Sequence, residues 1–229
     1  MGELLKIGIF PIILTLGAYQ VGLLLQKKLK SPLCNPVLLA VILVLVFLSV
    51  TGLDIQGYQQ GNGILSWLMT PATVCLAVPM YQQYQVLKKN LKAIALGVGV
   101  GAITCLVVIL GIALVTGLDR SLVISLLPKS VTTAIGVPLS ELSGGIGSIT
   151  TAAIIVTGIG ANVLSTYLIK LFGITDRIAQ GVALGTAGHV IGTARANEID
   201  PLTGAVSSLS LVVAGLLTTI VFPVLVMLF

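Results

Sequence analysis

The 229-residue sequence predicts an all-α, polytopic membrane helix bundle with interrupted segments, and three observations carry that reading. The chain is 56% hydrophobic and only 8% charged, with a mean hydropathy of +1.14, whereas about a quarter of the residues in soluble domains are charged. Seven or eight apolar segments of spanning length, each about 20 residues, follow one another along nearly the whole chain. Two of these segments are broken internally by proline and hydroxyl residues, so their backbone must face protein or a wet cavity rather than lipid. One compact membrane domain over residues 1–229 is expected, with no separate soluble catalytic or nucleic-acid-binding domain. The net charge of +5 comes from basic residues in short loops beside apolar segments, which is an orientation signal rather than a nucleic-acid patch.

The first helix is expected from about Leu4 to Leu25, because its apolar run is too long for a signal-peptide core and no small-residue cleavage pattern precedes Gln26. A basic turn with Lys27, Lys28, Lys30 and Pro32 follows, then a second helix from Pro36 to about Val50. Gly52 to Gly63 reads as a polar loop. Ile64 to Tyr81 is a third segment whose Pro71 and Pro79 forbid a regular helix throughout. Lys88, Lys89 and Lys92 precede a fourth helix that ends near Val115. The broken segment Ser121 to Glu141, a continuous helix from Ile146 to about Leu171, a glycine-rich segment from Arg177 to Asn197 and a final helix from Leu202 complete the order. Cys34, Cys75 and Cys105 are odd in number and apolar in context, so they read as packing residues rather than as a disulfide or metal framework.

The positive-inside rule places Lys27 to Lys30 and Lys88 to Lys92 in the cytoplasm and the N-terminus outside. The second half admits two topologies. If Ser121 to Glu141 crosses fully, Lys170 and Arg177 emerge outside; if it turns back, they emerge inside, which the charge bias favours.

Lys129 is the most informative residue. It lies about nine residues from either end of the broken segment, roughly 13 Å at 1.5 Å per residue, beyond easy reach of a surface. A cation at mid-membrane costs roughly 2.5–3.5 kcal/mol even on lenient scales and survives where it faces protein, water or ligand. Pro128 breaks the helix beside it. The half-helix beginning near Ser130 would offer free N–H groups and a positive dipole end, flanked by the hydroxyls of Ser130, Thr132 and Thr133, all favouring an anion. A weak echo pairs Pro71–Gln83 with Ser130–Leu142, bringing Thr73 onto Thr132 and Pro79 onto Pro138; paired broken segments of this kind point to a transporter's binding site.

The segment Gly181 to Glu198, read as one helix, puts Gly181, Gly185, Gly188 and Gly192 on a smooth face and Thr186, His189, Thr193 and Asn197 on a polar stripe. His189 is the only histidine and, with Glu141, is a candidate for a coupling proton. Arg195 projects away from the stripe and either joins the site through an unwound helix or pairs with Glu198. No nucleotide loop, zinc spacing or nucleophile elbow is present, so neither an enzyme nor a metal or other cofactor is expected. A simple pore would need a continuous polar lining, and only local breaks are seen.

The strings ATVCLAVPMYQQ, LPKSVTTAIGVPLSE and GVALGTAGHVIGTARANE, in this order and spacing, resemble the signature segments of the LrgB/CidB family of antiholin-like membrane proteins. The resemblance covers essentially the whole chain. It implies a bacterial inner-membrane location and a small LrgA- or CidA-like membrane partner. It also implies two functions: regulation of a holin-like partner, murein hydrolase export and autolysis, or carriage of small carboxylates. The second follows from similarity to the LrgB-like part of the plastidial glycolate/glycerate translocator and from bacterial pairs linked to pyruvate uptake. The expectation is a secondary transporter for glycolate, glycerate, pyruvate or lactate, able to form homo-oligomers. Its substrate site would comprise Lys129, Ser130, Thr132, Thr133, Thr73, Thr186, His189, Thr193 and Arg195, between breaks at Pro71, Pro79, Pro128 and Pro138.

Overall fold

Eleven helices and no strand form among the described residues of the computed structural model, which are 9–29, 36–75 and 77–227; the side chains of Leu29, Met69, Thr70, Thr73 and Pro79 lie outside that description. Lys30, Pro32 and Cys34 also fall outside it. The chain gathers into two compact units, Met1–Cys75 and Leu76–Phe229.

The first unit holds α1 (Phe10–Leu29), α2 (Pro36–Thr51), α3 (Ile55–Gly61) and α4 (Gly63–Cys75). Ala18, Val44 and Leu48 form the small α1–α2 core. Gly22 permits the approach, since a methyl group there would fall 2.6 Å from the Pro36 carbonyl oxygen. Part of the expected Gly52–Gly63 loop is helical because Asp54 caps it, accepting from the Gln56 and Gly57 amides at 3.2 Å. Thr15 ties α1 to this region through the Tyr58 hydroxyl at 2.6 Å. Pro71 lies inside α4, so the interruption of the third segment is not at that residue.

The second unit holds α5 (Ala77–Gln82), α6 (Tyr84–Thr116), α7 (Arg120–Leu126), α8 (Thr133–Leu142), α9 (Gly147–Leu171), α10 (Arg177–Ile199) and α11 (Pro201–Val226). Among the described helices, α6, α9 and α11 are long and apolar enough to span a membrane. Two segments of spanning length are folded back on themselves.

The first is Ser121–Glu141. The Ile146 amide donates to Ser125 Oγ at 2.7 Å, although a continuous helix would hold these residues roughly 30 Å apart. A methyl group on Gly136 would lie 3.1 Å from the Pro128 carbonyl oxygen, and one on Gly145 would lie 3.0 Å from Ile124 Cγ2. The chain therefore enters along α7, turns over Leu127–Thr132 and returns along α8, which decides the topology left open by the sequence in favour of re-entrance. Asp119 caps the entry, and hydrogen bonds from the Ser121 hydroxyl and amide hold its carboxyl below the usual carboxylate range. Pro138 stands inside α8 and does not interrupt it.

The second is α10, which is not one helix. His189 has φ 41° and ψ −132°, the only non-glycine positive φ among the described residues. Beyond it the chain reverses: Gly192 packs on the backbone of Leu184, residues that a continuous helix would separate by roughly 12 Å. Gly181 and Gly185 lie against the Thr203 and Ser207 carbonyls, so residues 177–188 run alongside α11 in the same direction. Thr193 meets Ser207 Oγ at 2.9 Å and Asn197 packs on Gly204, so residues 190–199 run the opposite way. The predicted smooth glycine face and polar stripe are accordingly split between two half-helices. Neither half, at roughly 15–18 Å, can cross.

One end of the second unit carries Lys88, Lys89 and Lys92 of α6, Lys170 of α9 and both ends of α10; the other carries Asp119, Arg120 and Glu141. The two hairpins enter from opposite ends and their tips meet in the middle. The residues of the Pro71–Gln83 echo are divided between α4 in one unit and α5 in the other.

Candidate functional site

Where the hairpin tips meet, a cleft of about 510 Å³ opens. Its walls come from α6 (Gly97, Gly101, Thr104, Cys105), the first tip (Lys129, Ser130), α9 (Thr157, Gly160, Ala161, Leu164) and α10 (Val182, Ala183, Thr186, Ala187). Small residues on three helices make the room. A methyl group on Gly101 would fall 3.0 Å from Thr186 Cγ2 and one on Gly97 would fall 3.1 Å from Val182 Cγ1, so α6 and the first half of α10 sit at a separation that glycine sets.

The polar groups are few and concentrated at the tips. Lys129 is half-buried, and the only ion pair among the described residues is Arg195–Glu198, so the ammonium has no ion-pair partner among them. Ser130 Oγ lies 3.1 Å from Cys105 Sγ. Thr186 is 7% exposed and its Oγ1 has no hydrogen-bond partner. A buried unpaired hydroxyl costs about 1–3 kcal/mol; the residue borders the cleft while the oxygen itself is buried. A second cavity, of about 10 Å³ and room for roughly one water, lies on the other side of Cys105, Ser130 and Thr186, bounded by Ala214 and Thr218 of α11.

Of the residues nominated from sequence, Lys129, Ser130 and Thr186 line the cleft. Thr132 is the N-cap residue of α8 and makes no side-chain cap; Thr133 opens that helix, and neither belongs to the lining. His189 is buried, with Nε2 3.0 Å from the Ile154 carbonyl. Thr193 is fully buried, donating to the His189 carbonyl at 2.8 Å. Both residues build the second hairpin rather than the lining. Arg195 pairs with Glu198 at 2.6 Å and reaches Thr166 Oγ1 at 3.0 Å, tying the returning half of α10 to α9 near the basic end. Glu141 lies beside Gly147 at the start of α9, away from the cleft. The Thr73 side chain is outside the described residues. Thr104, Thr157 and Cys105 were missed by sequence reasoning, since they sit singly in apolar helices with no local signal; only the cleft brings them together.

His189 pins its tip. Its ring packs where a methyl group on Gly158 would fall 2.6 Å from Cε1, and the Ile154 contact holds the ring on α9. A backbone in a sparsely populated region costs about 1–3 kcal/mol and persists where the surroundings over-determine it.

Comparisons with known proteins agree on one family. The family model described as LrgB-like matches residues 15–228. Two relatives, each named Holin-like protein CidB and each from a strain of Staphylococcus epidermidis, are 34% identical to the chain over 229 residues, covering 100% of both sequences. No solved structure matches. On the strength of a match across nearly its whole length, the chain belongs to the LrgB-like family of membrane proteins.

Proposed function

We propose that the chain is the solute-carrying component of a secondary transporter for small organic anions, of the class of glycolate, glycerate, pyruvate or lactate. The observation that carries this reading is the convergence of Lys129, Ser130 and Thr186 on one cleft between two re-entrant hairpins, with the Thr186 hydroxyl left unpartnered behind its wall. Interrupted helices meeting near the membrane midplane are the construction by which secondary carriers hold a solute in irregular, polar backbone. Lys129 would neutralise the carboxylate, Ser130 and Thr186 would bond its oxygens, and the apolar walls would suit a short monoanion more than a multiply charged one. The positive-inside rule makes the basic end cytoplasmic, so the cleft, which runs from the tips past Gly97 and Val182, faces the cytoplasm.

A second reading has its own support. The relatives' printed name favours a holin-like role, in which the chain regulates a small LrgA- or CidA-like partner, and with it murein hydrolase export and autolysis, without moving solute. The names speak for this more directly than for transport; the cleft speaks for transport. Reconstitution separates them. Purified protein in liposomes, with and without an LrgA-like partner, is expected to take up labelled glycolate or pyruvate saturably. Thr186→Val should raise KM about tenfold. Co-purification with the partner but no uptake in its presence would favour the regulatory reading.

A further inference from the structure

We infer that residues 119–169 and 176–226 are inverted repeats, and that the site has a second, outward-facing form whose wall is Ala214 and Thr218 of α11. This rests on the transport reading above and specifies how the site would be reached from the other side.

At the constant offset that takes Asp119 to Asp176, the two sequences align without a gap: Arg120 falls on Arg177, Glu141 on Glu198, Gly147 on Gly204 and Gly158 on Gly215. The architecture follows the same offset. Asp119 and Asp176 are both N-caps with side-chain hydrogen bonds. Each segment is a re-entrant hairpin followed by a spanning helix, and the tip residues Thr132 and His189 coincide. The exchange also holds in packing: Gly158 backs the second tip at His189, and Gly215 backs the first tip at Ile135 Cδ1, where a methyl group would fall 2.9 Å away. Because the hairpins enter from opposite ends, the repeats are inverted in the membrane, the arrangement from which alternating access arises by exchange of two conformations.

The exchange maps the top of the cleft onto itself, Lys129 onto Thr186 and Ser130 onto Ala187, all four of which line it. It does not map the walls onto an equivalent opening. Thr157 and Ala161, on the open cleft, correspond to Ala214 and Thr218, which border only the cavity of about 10 Å³. Farther out, Leu164 and Leu168 correspond to Val221 and Leu225, which pack against the apolar cluster of Leu106, Ile109, Leu127 and Phe222. The pseudo-symmetric mate of the open cleft is thus a sealed plug. One half of a symmetric pair open and the other shut is a single access state, and opening the plug around Phe222 while closing α9 on the first half of α10 is the other.

The test uses cysteine accessibility in sealed right-side-out and inside-out membrane vesicles. Cys34 and Cys75 are replaced by serine and Cys105 by alanine, and Ala161→Cys, Thr218→Cys or Ala214→Cys is added singly. An impermeant thiol reagent is expected to label Ala161→Cys from the cytoplasmic face only, and Thr218→Cys and Ala214→Cys from the opposite face only. Adding Phe222→Ala should speed labelling of Thr218→Cys at least tenfold and slow that of Ala161→Cys. If both α11 cysteines stay unlabelled from either face while Ala161→Cys reacts, or react from the same face as Ala161→Cys, the two-sided site is overturned even where uptake is measured. Opposite-face labelling without uptake of any tested carboxylate would uphold the exchange and overturn the transport reading instead.

Discussion

The two hairpin tips solve one mechanical problem with opposite chemistry. Both turn a chain back inside the membrane and both leave backbone that lipid cannot satisfy. At the first, proline makes the turn and Lys129 with Ser130 faces the cleft, its ammonium without an ion-pair partner among the described residues. At the second, a strained His189 makes the turn, its ring against Gly158 and Ile154 and its carbonyl taken by Thr193. An intramembrane polar residue is therefore not a ligand by type alone. What separates Lys129 from His189 is that the His189 Nε2 and carbonyl are bonded within the protein, whereas Lys129 opens on the cleft.

The second hairpin is most vulnerable at the glycine contacts that hold it to α11. Gly185→Val would drive side-chain atoms into the Ser207 carbonyl, where overpacking costs about 1–3 kcal/mol or more; thermal unfolding in detergent should show loss of most folded protein. The tips themselves then part company. Lys129→Met should abolish uptake while leaving the melting temperature equal or higher, because it removes a cation whose burial costs roughly 2.5–3.5 kcal/mol. His189→Ala should lower stability by about 1–2 kcal/mol through its lost hydrogen bond and packing, and uptake should fall only in proportion to folded protein. A stability loss in Lys129→Met, or a uptake loss beyond folded content in His189→Ala, would reverse the assignment of roles. Smallest is Arg195→Ala, which removes a partly exposed ion pair worth about 0.2–1 kcal/mol.

The fold class, the helix starting at Pro36, the end of α6 near Val115 and the α9 span were legible in the sequence, because each rests on local apolar runs and their punctuation. Re-entrance of the first hairpin was favoured only by the charge bias of Lys170 and Arg177. Ser121–Glu141 has the length of a span, and only the meeting of Ser125 with Ile146 separates a crossing from a return. The break at His189 carries no proline; packing against α9 imposes it, so a helical wheel drawn through Gly181–Glu198 misplaces Thr193 and Arg195. The inferred repeat has a sequence trace that the reading passed over: an Asp-Arg pair followed by a glutamate at the same spacing occurs at Asp119–Glu141 and at Asp176–Glu198. For the site, the cost of an intramembrane cation pointed to Lys129, whereas Thr104 and Thr157 depend on which helices come together.

The central claim is that the cleft binds a short organic anion through Lys129 and Thr186. Its most direct test is equilibrium binding of labelled glycolate, glycerate, pyruvate and lactate to the purified chain and to the Lys129→Met, Thr186→Val and His189→Ala proteins. Saturable binding of at least one acid that is lost in Lys129→Met, weakened about tenfold in Thr186→Val and kept by folded His189→Ala is the result predicted. Binding of equal strength in Lys129→Met and the unsubstituted protein would contradict it.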